Sequence, residues 1–179
     1  MTKTKRQVVP YLCPTVLTLS FLQGAHAQMA HHVEPTKIYG AEHPEQIPDK
    51  LAWSLYFGAV SESPNPKPSE IARQKAKLRS AHLADPDIAQ AARVLVNFHV
   101  KSKDIDARLA EAVSSFERTG VAVNHSAFMS ERQALVDNTH SSLKELLSAS
   151  GMAYLEAHIR DEKRFMTAFV DPTDGGQLR

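Results

Sequence analysis

The sequence predicts an all-α protein, a helical bundle or long helical hairpin with about five helices, behind an N-terminal signal peptide. Three observations carry that expectation. From Asp85 to Phe116, Ile88, Ala91, Leu95, Phe98, Ser102, Ile105, Leu109, Ala112 and Phe116 recur at alternating spacings of three and four. This is the period of one helix face, sustained over about four heptads. Glycine is scarce, at 7 residues in 179, while helix-forming alanine, leucine, glutamate and lysine are plentiful and no row of β-branched strands occurs. The first 27 residues are a different material altogether.

Those residues have the three parts of a secretory signal. Lys3, Lys5 and Arg6 form a basic start, Val8 to Leu22 is mostly apolar, and Ala25-His26-Ala27 offers small residues before a cleavage point at Gln28. Pro10 and Pro14 break the apolar run, which is too short for a membrane span. Cys13 lies inside that run with no small residue beside it, unlike a lipid-modified cysteine. Cleavage would remove three basic residues and no acidic one, turning 21 Lys+Arg against 20 Asp+Glu into 18 against 20, a net charge of −2. It would also remove the single cysteine, leaving a helical core without disulfides to hold a periplasmic or secreted chain. A near-neutral chain with no basic block argues against nucleic acid as a partner. No second apolar run is long enough for a stable membrane span.

Residues 28–46, with His31, His32, Pro35, Gly40, His43 and Pro44, read as a flexible leader to a helical domain over 47–169. A first helix starts at Pro48 and runs to about Val60, with Leu51, Leu55 and Ala59 on one side and Trp53, Phe57 and Val60 on another. Apolar surface on two sides means deep burial or a partner surface. Ser61 to Pro68 is a linker with three prolines. A second helix spans Ser69 to about His82, where Arg73, Lys75, Lys77 and Arg79 read as a solvated basic face.

Asp85-Pro86-Asp87 opens the long helix, with Asp85 placed to accept from the first free amides. At about 1.5 Å per residue its seam is about 48 Å long, too long to bury without other helices beside it. Gly120, Val121 and Val123 end it near Arg118, and residues 118–125 reverse the chain. A helix from Ser126 to about Leu147 carries a broad stripe that includes Phe128, Met129, Leu135, Val136 and Leu143. Ser148 to Gly151 is a kink or a fresh cap. Met152, Leu155, Ile159, Glu162, Met166 and Phe169 then repeat the three-four spacing before a flexible tail at 170–179.

Few constellations here can carry chemistry. Glu162 occupies a seam position one turn from His158, and a carboxylate with an imidazole at that spacing can ligate a metal or form an ordinary helix pair. The paired His31 and His32 offer a weak chelate of neutral imidazoles. Asp137 and His140 have the carboxylate-x-x-His spacing of di-iron bundles, but the unit occurs once where such a site needs two. His99, beside Phe98, reads as a core histidine. Asn124-His125-Ser126 matches a glycosylation acceptor, and no zincin, CxxC, nucleophile-elbow or phosphate-loop motif is found, so no cofactor is implied.

A cleavable signal, a small cysteine-free helical chain, a long charged hairpin and a closing helix rich in Glu, Lys, Arg and Met resemble the periplasmic helical stress proteins grouped around Spy and CpxP. The likeness covers plan and composition over roughly residues 48–169. The Leu-Thr-x-x-Gln unit of that family is absent, its nearest counterpart being Leu147-Ser148-Ala149-Ser150-Gly151. The resemblance implies a dimeric, chaperone-like or metal-sensing periplasmic protein without enzyme activity. The functional expectation is therefore a non-enzymatic protein-binding module, a homodimer among its expected partners, with Trp53, Phe57 and Val60 as contacts. The alternative is a metal-binding protein using His31, His32, His140 or His158 with Glu162.

Overall fold

A computed structural model describes residues 36–170. The signal-peptide expectation, His31 and His32, and the tail from residue 171 lie outside the described residues. In order, the elements are strand β1 (Thr36–Tyr39), a 3-10 turn at Pro44–Gln46, and helices α1 (Asp49–Val60), α2 (Pro68–Ser80), α3 (Asp85–Thr119), α4 (His125–Leu146) and α5 (Ala149–Glu162). A second 3-10 turn at Lys163–Phe165 leads to strand β2 (Thr167–Val170). The described chain is an all-α bundle of five helices with one small two-stranded sheet.

The core is organised around α1, which packs against each of the other four helices. Ala52, Trp53, Tyr56, Phe57 and Val60 are all buried, on more than one side of the helix. Such a helix has to be wrapped, because a single flat contact would leave half of its apolar surface in water. Phe57, fully buried, has its ring centre 5.3 Å from that of Phe98 on α3 and 5.3 Å from that of Trp53. Both ends of α1 are tied by polar groups. Its last carbonyls have no partner within the helix; Val60 O accepts from the buried Gln74 side chain at 3.0 Å and Ala59 O from Lys77 at 2.7 Å. Arg73 pairs with the buried Glu62 at 2.7 Å. The basic run of α2 is thus only partly a solvated face, since it also caps α1 and pins the linker. At the other end the buried Lys163 reaches Asp49 at 2.5 Å.

The two seams meet through a polar clasp. Asp85 does not cap α3, because Ala84 holds that position and the Asp85 carboxylate meets Arg79 at 3.1 Å. Two residues later Asp87 is buried, and its carboxylate accepts from the Ser148 N–H at 2.8 Å and the Ser148 hydroxyl at 2.6 Å. The same hydroxyl oxygen accepts from the Gly151 N–H at 3.0 Å, so the break at 148–151 is a fresh cap. Only glycine fits at 151, since a Cβ there would overlap the Asp87 carboxylate. The α3–α4 reversal is equally local. Gly120 takes a left-handed φ of 72° after α3, and Asn124 Oδ1 accepts from the Ala127 N–H at 3.1 Å to start α4.

Two boundaries differ from the sequence expectation. Residues 36–46 are not a loose leader: β1 pairs antiparallel with β2, Ile38 opposite Ala168, and Ile47 beyond them is fully buried. The last helix does not continue to Phe169. It stops at Glu162, Lys163 turns to Asp49, and Thr167–Val170, rich in β-branched and aromatic side chains, enters the ribbon.

The clasp is testable. Asp87→Ala should lower the unfolding free energy by about 2–3 kcal/mol in urea titration at neutral pH, because a carboxylate accepting two buried hydrogen bonds is lost. Gly151→Ala should destabilise comparably through overlap, and a cost below about 0.5 kcal/mol for both would contradict the clasp.

Candidate functional site

The contact residues expected from the sequence do not lie on the outer surface. Trp53 is 9% exposed, Phe57 0% and Val60 1%, so they form the inside of the bundle and offer no outer face on which a protein partner could dock. The physical reason is the position of α1, whose Trp53–Val60 side is packed among four helices. The opposite line is the open one: Leu55 is 48% exposed, with Leu51 half-buried one turn before it.

The metal-directed residues are scattered. His158 Nε2 lies 3.9 Å from Glu162 Oε1, one helix turn away, and its ring centre is 5.8 Å from that of Tyr56. Asp137 is on the surface, paired with Lys50 at 2.7 Å, and His140 packs edge-on against Trp53 with ring centres 4.6 Å apart. His99 is half-buried. Among the described residues no group of three or more His, Cys, Asp or Glu side chains could hold a metal ion.

What the structure adds is an arm. The last buried residue of α3 is Ile105 and the first of α4 is Leu135, so the intervening hairpin extends past the core. From Asp106 to Thr119 this is about 20 Å of helix. Most of its charges are paired among themselves. Arg108 joins Asp104 at 2.9 Å and Glu131 at 2.5 Å, Arg132 meets Asp106, and Arg118 meets Glu111 at 3.1 Å. The hydrogen bond that Arg108 donates to Glu131 is the main reason the Arg108 pKa is raised. Between the pairs runs an incompletely covered apolar line: Leu109 and Ala112 half-buried, Val113 37% exposed and Phe116 48% exposed.

Where the arm leaves the bundle, α1, α3 and α4 enclose a hollow of about 250 Å³ with Leu51, Leu109, Met129 and Val136 as apolar walls. Ser54, Arg132 and Gln133 supply its polar rim. Met129, 40% exposed, has the flexible thioether that adapts to irregular partners. Contiguous apolar surface beside paired charges is the composition of an interaction site. The sequence did hold a signal for it. A 12-residue α1 is about 18 Å long and cannot cover a 35-residue α3 of about 52 Å, so the far third of the seam had to lack its partner.

One polar atom inside the bundle is unpartnered. Among the described residues, the Tyr56 hydroxyl is the buried side-chain N or O atom without a hydrogen bond. Burial pushes the Tyr56 pKa far above the ordinary phenol value, with the Glu162 charge adding to the effect. The folded chain therefore holds this proton to higher pH than the unfolded chain does, so its contribution is complete below about pH 10 and is lost as pH rises above it. Tyr56→Phe should leave stability unchanged or raise it by about 1 kcal/mol at pH 7, and should flatten the alkaline decline measured by thermal unfolding between pH 9 and 11. A large loss at pH 7 would mean that the hydroxyl has a partner.

No protein-family profile, curated protein or solved structure matches this chain.

Proposed function

We propose that this protein is a non-enzymatic, chaperone-like protein-binding module, exported by its N-terminal segment, that receives an amphipathic helical segment of another protein along the α3–α4 arm. The observation that carries the proposal is the uncovered line of Leu109, Val113 and Phe116 beginning at the apolar hollow beside Leu51 and Met129. Apolar groups at three-four spacing on the arm suit a third helix laid alongside, and the hollow suits one bulky anchor side chain from that helix. The paired charges around the line leave the apolar face free of desolvated ions. The resemblance of the sequence in plan and composition to the Spy and CpxP group agrees with this role.

The test is suppression of light scattering by a heat-unfolded reporter enzyme. The native chain should suppress it at near-equimolar ratio, and Val113→Ser with Phe116→Ser should weaken suppression about tenfold. Both positions are exposed, so the melting temperature should hold within a few degrees. Failure of the native chain to suppress scattering, or equal suppression by the double variant, would overturn the proposal. Loss of a dimer in sedimentation of the double variant would assign the arm to a second copy instead.

A further inference from the structure

Beside Trp53 on α1 lies a second, more polar cleft. It occupies about 410 Å³ between α1, α4 and α5. That is within the usual range for a small-molecule site, about 300–1,000 Å³. Its floor is apolar: Trp53, Val136 and Ile159 are 9%, 5% and 3% exposed. His140 stands over one side, edge-on to the indole at 4.6 Å.

The charged rim is largely self-neutralised. Lys50 is paired with Asp137 at 2.7 Å, and Asp49 with Lys163 at 2.5 Å. Two charges remain, Glu156 and Arg160, which line the cleft one turn apart on α5 and have no ion-pair partner among the described residues. Their mutual attraction across a turn is worth only about 0.2–0.5 kcal/mol on an exposed helix, little for a ligand to displace. A carboxylate could accept two parallel hydrogen bonds from the planar fork of a guanidinium such as that of Arg160. An ammonium would find Glu156 beside it. An aromatic or bulky apolar side group would find the Trp53–His140 corner, where edge-to-face contact is favoured.

We infer that this cleft is a binding site for a small amphoteric molecule with an aromatic side group, that is, a free aromatic amino acid: carboxylate on Arg160, ammonium on Glu156, ring against Trp53 and His140. The cleft shares Lys50 and Val136 with the hollow beside the arm, but the groups assigned to the ligand, Arg160, Glu156, Trp53 and His140, belong to the cleft alone, so the inference does not rest on the arm.

Trp53 is the single tryptophan of the chain, so its emission reports directly on the cleft. The probe is L-phenylalanine, with excitation at a wavelength that phenylalanine does not absorb. Saturable change of Trp53 emission is expected, with 3-phenylpropionate (no ammonium) and phenethylamine (no carboxylate) each about tenfold weaker. Arg160→Gln should weaken phenylalanine and 3-phenylpropionate but leave phenethylamine unchanged. Glu156→Gln should weaken phenylalanine and phenethylamine but leave 3-phenylpropionate unchanged. Both side chains are exposed, so both variants should fold and melt as the native chain does. No saturable response up to about 10 mM phenylalanine, equal binding of a truncated probe, or indifference to both substitutions would overturn the assignment.

Discussion

Burial of the Ala52, Trp53, Tyr56, Phe57 and Val60 side of α1 is the constraint from which the rest of this structure follows. A 12-residue helix with Trp53, Tyr56, Phe57 and Val60 inside cannot rest on a surface, so four helices are drawn around it. Each full burial of such a side chain is worth about 1.5–3 kcal/mol, which sets the cost of leaving any side uncovered. Polar groups then fix the enclosing elements in place: Gln74 and Lys77 on the free carbonyls of α1, Lys163 on Asp49, and Asp87 clasping Ser148 where α3 and α5 begin. Among the described residues, the Tyr56 hydroxyl is the one buried side-chain polar atom left without a partner.

Because α1 is short, its wrapping ends early. α3 has 35 residues, of which those up to Ile105 contribute to the core. Beyond it α3 has α4 for company, and two helices side by side leave one flank of each in water. The arm therefore combines a firmly anchored base with an apolar edge. Arg108, bridging Asp104 and Glu131, holds the two helices together without covering that edge. Anchored base and open edge are what a helix-binding surface requires, and the protein-binding proposal depends on that pairing.

The helices were legible because their signals are local. Spacing of three and four, Pro at a first turn, Gly120 after a last one and Ser148 at a cap each act over a few residues. The all-α class, the five helices and the approximate bounds of the first four followed; the last helix ends at Glu162, short of Phe169. The strands were not legible, because β1 and β2 are four residues each and are stabilised by pairing across more than 120 positions of sequence. For the site, periodicity identified both apolar lines of α1 but could not say which one faced inward. That depends on tertiary packing, and it placed Trp53, Phe57 and Val60 inside while leaving Leu55 out. His140 and Asp137 were noted for a metal spacing; their neighbours Trp53 and Lys50 come from a helix about 85 residues earlier, a proximity that no local pattern encodes.

The most direct test of this account is amide hydrogen exchange resolved along α3 in the isolated protein. Local stability follows burial and packing, so an element that leaves its core should lose protection where the cover ends. The account predicts strong protection from Ile88 to Ile105 and a decline of at least about 2 kcal/mol in opening free energy from Leu109 to Thr119. Uniform protection to the end of the helix would contradict it, since the far seam would then be covered and the arm would offer no open face.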